Sequence, residues 1–148
     1  MPPHMDDRIR RALAITPSSS ASDRTVDITT IGAKTGRERR IEIWFYRVDD
    51  EIYLTTQPAS RSWYANLLRT PRFTFHLKGS VRADLPATAT PVLDRDDRRR
   101  IFEAIIDDLN QPRHSAYLSQ PVEPLEEWID GSPLMHVTFL QDGDEGGR

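Results

Sequence analysis

Between two apolar stretches the chain carries Gly32-Ala33-Lys34-Thr35-Gly36-Arg37-Glu38-Arg39-Arg40, and these residue types at this spacing are suited to holding an anion. Glycine reaches positive φ and lets backbone approach a ligand closely, so Gly32 and Gly36 allow successive N–H groups to converge. Lys34, Thr35, Arg37, Arg39 and Arg40 add charge and donors, the chemistry that meets a phosphate or a carboxylate. Lys34 and Lys78 are the only lysines among 20 basic residues, which gives the position of Lys34 extra weight. The nucleotide-binding P-loop is excluded, because it needs a glycine directly before its lysine and a helix after it. Here Ala33 precedes Lys34, and the residues beyond Gly36 read as a strand. By residue types alone, the same stretch also fits a solvated basic turn.

Other chemistries have less to draw on. His76 falls on the polar face of a strand and His114 in a loop; neither has a partner at ligand spacing and no H-E-x-x-H occurs, so no metal site is expected. No G-x-S-x-G marks an activated serine. The absence of cysteine removes disulfides and thiolate metal sites and suits a cytoplasmic setting. Trp44 and Trp63 read as core or groove packing, and Trp128 as the anchor of a short helix.

The elements that must position these residues are legible from period. Asp6 to Ile15 can form an amphipathic helix with Ile9, Ala12 and Leu13 on one side. It reads as a helix laid on the domain surface, with a membrane-peripheral role as the alternative. Thr16 to Ser22 has linker composition. Val26 to Thr30 alternates, Ile41 to Val48 is apolar at nearly every position, and Asp49-Asp50 turns the chain into Glu51 to Thr56. At Ser60 the period changes to a helix with Trp63, Tyr64, Leu67 and Leu68 as its stripe, capped by Ser60 and ended at Thr70-Pro71. Arg72 to Lys78 alternates strictly, and Gly79-Ser80 leads into Val81 to Val92, interrupted by Pro86 and Pro91. Asp94 and Asp97 open a helix whose stripe is Ile101, Phe102, Ile105, Ile106 and Leu109. A proline-spaced stretch, a short helix around Leu125 to Ile129 and a last strand from Leu134 to Leu140 follow.

Two-residue turns join these strands into antiparallel hairpins, and about six of them in one domain must close on themselves to avoid exposed edges. The expected fold is mainly β (α+β), an antiparallel β-barrel with flanking helices. Residues 1–22 would be an N-terminal helix and linker, 23–141 the body and 142–148 a solvated tail. With 148 residues and no composition break, the chain can bury one core. The net charge of −3 argues against nucleic acid as a partner, and no apolar run reaches the roughly 18 residues of an integral membrane segment.

Read together, these blocks resemble one family. GAKTGRERRIEIWFY is similar to the G-R-K-S/T-G-x-x-R signature of the deazaflavin-dependent nitroreductases, a branch of the split β-barrel flavin and deazaflavin oxidoreductases. RSWYANLLRTPRFTFHLKG resembles that family's P-x-W-Y-x-N-L-x-x-N-P block, and GSPLMHVTFL its terminal strand. The likeness runs from Val26 to Leu140. Ala33 stands where the signature has arginine, and QPASRS replaces a longer glycine-rich segment.

The resemblance implies a split β-barrel that binds coenzyme F420, whose phosphate and oligoglutamate tail need a cationic cradle. Lys34, Thr35 and Gly36 would hold the phosphate with help from Arg39, while Arg37 and Arg40 would serve the tail. Thr55, Thr56 and Gln57 would meet the ring, Trp63 and Tyr64 would wall the groove, and Asn66 would brace the helix. The implied activity is hydride transfer from the reduced deazaflavin to a small electron-poor acceptor, a quinone, an enone or a nitroaromatic, with Tyr46 or Tyr117 as the candidate proton donor. FMN is the alternative cofactor, and a non-catalytic module for a flavin, haem or lipid is the alternative outside enzymes. Monomer and homodimer both fit a barrel of this size.

Overall fold

A computed structural model describes residues 6–17, 19–110 and 124–140. The chain runs α1 (Asp7–Leu13), α2 (Ala21–Arg24), β1 (Thr25–Ile31), β2 (Glu38–Val48), β3 (Glu51–Thr55), α3 (Ser62–Arg69), β4 (Arg72–Lys78), β5 (Arg82–Pro91), α4 (Arg95–Leu109), α5 (Leu125–Gly131) and β6 (Leu134–Phe139). The strands form a closed antiparallel barrel in the order β1-β2-β3-β6-β5-β4. This is the fold expected from the alternating stretches. The hairpins are local: Asp49 and Asp50 both take positive φ, 53° and 66°, as a two-residue turn matching strand twist requires. Closure is not local. It depends on β6 inserting between β3 and β5, with Leu54 opposite Met135 and Ala89 opposite Val137, and on β4 pairing β1.

Strand alternation sorts the side chains into two cores. Ile43, Phe45, Leu54, Phe75, Met135 and Val137 fill the barrel, with Phe45 and Phe75 edge to face at 5.4 Å. Tyr46, Val48, Tyr53 and Leu134 face outward and pack under Phe102, Ile105, Leu109 and Trp128 of α4 and α5. The second core therefore lies between barrel wall and helices. Phe102 and Trp128 meet edge to face at 5.8 Å, which makes Trp128 the anchor its position suggested.

Several local expectations are corrected. The stretch expected as linker, Thr16 to Ser22, overlaps the start of α2, whose Ser20 and Asp23 form a capping box. Helix α1 lies on the domain as expected, with Leu13 buried, Ile9 and Ala12 packed against the barrel core, and Asp7, Arg8 and Arg11 exposed. Helix α3 begins after Arg61 with no side-chain cap, so Ser60 does not cap it, and Leu68 is half exposed. Strand β5 runs through Pro86, opposite Thr74. A proline removes one donor from a ladder but leaves its carbonyl, and here that carbonyl accepts from Leu140 N at 2.9 Å. His76 is buried although it falls on the polar register, because its ring nitrogens meet Thr29 Oγ1 and Asp84 Oδ1, each at 2.7 Å.

A cationic hairpin and an aromatic groove

Antiparallel pairing brings four chain ends to one rim of the barrel: β1 ends there, β2 begins, β3 ends and β4 begins. The segment after β3 leads into α3, and α3 meets the cationic hairpin at Ala33.

The hairpin turn is built by its own hydrogen bonds. Gly32 N donates to Arg37 O at 2.7 Å, Gly36 N to Gly32 O at 2.9 Å and Arg37 N to Thr35 Oγ1 at 3.2 Å. Gly36 sits at φ 72°, the left-handed region where a Cβ is strained. Buried Asn66 ties the loop to α3: its Oδ1 accepts from Ala33 N at 2.8 Å and its Nδ2 donates to Thr30 Oγ1 at 3.0 Å. It thus braces the loop as well as the helix. The N–H groups of Gly32, Ala33, Gly36 and Arg37 are consumed inside the structure. What the loop offers an anion is therefore chiefly side-chain charge rather than converging amides.

Lys34, Thr35, Gly36, Arg37 and Arg39 are all exposed, and Lys34, Arg37 and Arg39 form no ion pair among the described residues. Arg40 differs, because its Nε meets Asp27 Oδ2 at 2.9 Å. Lys78 reaches the other oxygen of Asp27 at 2.7 Å and also pairs with Glu42. Partial burial pushes the Asp27 carboxyl up, but the hydrogen bonds from Lys78 and Arg40 outweigh it and hold Asp27 below the usual carboxylate range. Arg40 is accordingly engaged by the sheet rather than free for a tail.

A groove of about 330 Å³ lies between the outer face of the barrel and the helices, lined by Glu42, Ile43, Trp44, Tyr46, Thr55, Thr56, Gln57, Arg61, Leu109 and Trp128. Small-molecule sites start at about 300 Å³. Glu42, Trp44 and Tyr46 enter it by the two-residue period of β2, whose alternate residues Ile43 and Phe45 belong to the barrel core. Thr55 Oγ1 is tied to Pro133 O. Thr56 Oγ1 and Arg61 Nε are buried and have no hydrogen-bond partner among the described residues. Arg61 Nη2 donates to Gln57 O at 3.3 Å, closing the short segment, and a Cβ placed on Gly131 would meet Pro58 Cβ at 3.3 Å. The shortened segment is thus pressed against the end of α5. Burial pushes the Tyr46 phenol far above its ordinary value, with smaller opposed effects of Arg24 and Asp108. Tyr46 stays protonated throughout the neutral range.

Of the residues expected around a cofactor, Thr55, Thr56 and Gln57 line this one groove, together with the candidate proton donor Tyr46. Trp63 and Tyr64 do not. Trp63 is 5% exposed and inserts with Leu67 into the barrel core, with Tyr64 packed beside it at 6.0 Å. The walls are instead Trp44 and Trp128. Arg61, Leu109 and Glu42 were not anticipated; for Glu42 the alternation of β2 was the available signal, whereas Leu109 and Trp128 arrive from distant helices. Tyr117 lies outside the described residues. Among the described residues no group of histidines and carboxylates could hold a metal ion.

The family model for F420H2-dependent quinone reductases matches residues 10–121. The chain belongs to this family. It is an oxidoreductase, and its cofactor is coenzyme F420. No curated protein matches the sequence. Among solved structures, a conserved hypothetical protein from Mycobacterium tuberculosis aligns with TM-score 0.62 at 20% identity, over 91% of this chain and 81% of that one. An F420-H2 dependent reductase aligns with TM-score 0.50 at 18% identity, over 78% of this chain and 94% of that one. A FAD-binding protein from Mesorhizobium loti aligns with TM-score 0.59 at 11% identity, over 93% and 91%. These likenesses establish the fold shared with this F420H2-dependent reductase. No helix among the described residues is long and apolar enough to cross a membrane.

The residues present fit the family's cofactor. A shielded polar atom without a partner costs about 1–3 kcal/mol, and a ligand that supplies acceptors to Thr56 Oγ1 and Arg61 Nε removes that cost. Aromatic side chains suit a flat ring, and unpaired cations on the hairpin suit an anionic tail.

Proposed function

We propose that this reductase passes hydride from reduced F420 to a small electron-poor acceptor, a quinone, an enone or a nitroaromatic. The observation that carries this reading is an aromatic groove with unpartnered donors at the segment leading into α3, the helix whose Asn66 holds a hairpin where Lys34, Arg37 and Arg39 have no ion pair among the described residues. Lys34, Thr35, Gly36, Arg37 and Arg39 would hold the phosphate and the acidic tail. Thr56, Gln57 and Arg61 would orient the ring, with Thr55 fixing the backbone through Pro133 O. Bound reduced F420 supplies the hydride. The chain's part is to orient, to exclude water between Trp44 and Trp128, and to leave a donor at hand. Tyr46, on the groove lining, is the donor proposed; burial disfavours its phenolate, so it gives up its proton less readily than a free tyrosine.

The test is direct. Purified protein is titrated separately with F420 and FMN, followed by fluorescence, and turnover is measured with menadione and a nitroaromatic. Saturable F420 binding that weakens in Lys34→Ala, with acceptor reduction, is the expected result. A yellow protein carrying FMN would overturn the cofactor geometry proposed here, and F420 binding without any turnover would make the chain a carrier.

A further inference from the structure

Behind the groove wall lies a charged pair that the mechanism above does not use. Arg24 is fully buried, and Asp108 has a side chain only 12% exposed. Every nitrogen of the Arg24 fork is engaged: Nη1 with Asp108 Oδ2, Nε with Ser20 O at 3.3 Å, and Nη2 with the carbonyls of Thr16 and Ser19, both at 3.0 Å. The guanidinium carbon lies 5.8 Å from the ring centroid of Trp44, within cation–π range. Trp44 is a wall of the groove, and Leu109, the neighbour of Asp108, is another.

Two physical oddities mark this pair. Asp107 and Asp108 stand in the last turn of α4, which has no basic residue there, although helix C-termini favour cations. A buried ion pair is also seldom more stable than apolar residues of the same volume. A leucine and a methionine could fill the same space. What they could not do is set direction: the planar guanidinium fork fixes its own orientation through several acceptors at once and presents a defined face to the indole. Local conflict that is resolved only by a tertiary contact points to a positioning role.

We propose that Arg24 is a positioning residue for the groove. It holds the Trp44 indole and the end of α4 in register with each other, and it makes that wall depend on the carbonyls of Thr16, Ser19 and Ser20 that clasp the guanidinium. The proposal rests on the groove being the cofactor and acceptor site.

The experiment uses the full chain with 5-fluorotryptophan incorporated and each tryptophan resonance assigned by replacing it in turn. Three proteins are compared: wild type, the apolar double variant R24M/D108L, and R24K, which keeps the charge but loses the fork. Readouts are thermal stability, the Trp44 fluorine resonance without cofactor, and F420 affinity. The expected result is a double variant that melts close to wild type, a shifted or broadened Trp44 resonance, and F420 affinity lower by roughly tenfold, with R24K between them. A Trp44 resonance unchanged in R24K and the double variant overturns the proposal, as does F420 affinity retained within about twofold despite a moved resonance. If the double variant does not fold, R24K alone decides by the same two readouts. Should wild type fail to bind F420 while the Trp44 resonance moves, the cofactor reading of the groove falls and the positioning of the wall stands.

Discussion

Two sets of arginines do different work in this molecule. In the hairpin, Arg37 and Arg39 are exposed and form no ion pair among the described residues. Where water is shut out, Arg24 meets Asp108 and three backbone carbonyls, and Arg98 donates to the carbonyls of Val92 at 2.9 Å, Ile129 at 2.8 Å and Ser132 at 2.6 Å, with Trp128 O at 3.4 Å. Arg98 thereby satisfies carbonyls at the end of α5 that a helix leaves orphaned, and its guanidinium stacks over Phe102 at 5.2 Å. Burial lowers the Arg98 pKa, yet an arginine begins so high that it remains charged. One side chain type thus serves as free charge where water reaches it and as a backbone clasp where water does not. The difference teaches where to look for function and where for stability: solvated cations lose little when removed, and clasps lose their acceptors' partners.

The comparison is broken or sharpened by substitution. The largest effect is expected for Arg98→Met, which orphans the carbonyls around α5 and should lower unfolding free energy by about 2–4 kcal/mol in a urea titration. A loss within about 0.5 kcal/mol would mean that water replaces the clasp at no cost. Next comes the Lys34→Ala, Arg39→Ala double variant. Its stability should stay within about 0.5 kcal/mol of the parent, while F420 affinity falls roughly tenfold to a hundredfold, about 1.4–2.8 kcal/mol. Raising salt should weaken wild-type binding more than it weakens binding by the variant. Equal affinity in calorimetry would reduce the hairpin to a solvated turn.

Smaller effects test the frames that hold each set. Gly36→Ala forces a Cβ into a positive φ of 72° and should cost about 1–2 kcal/mol, measured by chemical denaturation; no cost would show that the turn relaxes. Smallest is Asp27→Asn. Asp27 is held below its ordinary value of 3.8, so the folded state binds its proton less readily than the unfolded one. Its contribution is present above pH 3.8 and is lost as pH falls through the lower folded value. Acid titration should therefore show a shallower stability loss below that pH in the variant, with a cost of under about 1 kcal/mol at pH 7. Unchanged acid slopes would sink this account of the Lys78 and Arg40 contacts.

Much of the barrel was legible in the chain. Alternation located β1 and β4, a nearly continuous apolar run located β2 from Ile41 onward, the Asp49-Asp50 pair located a hairpin, and the stripe from Ile101 to Leu109 located α4. What escaped was local exception and long-range arrival. Polar composition concealed α2, because a four-residue helix leaves no period to read. Pro86 looked like an interruption, since its surviving carbonyl is used only when the chain beyond β6 arrives. The family resemblance implies Trp63 and Tyr64 as groove walls, but which tryptophan faces a core and which a groove depends on how the helix sits over the barrel.

The amino-acid sequence by itself determined the strands, the family likeness and the cationic turn, because all three are written in spacing over a few residues. The tertiary structure decided that β6 closes the barrel, that Trp44 and Trp128 rather than Trp63 wall the groove, and that Arg40 is held by Asp27 while Arg37 and Arg39 keep clear of the acids. The physical reason is that burial and charge pairing are properties of neighbours, and those neighbours come from parts of the chain that only closure of the barrel brings together.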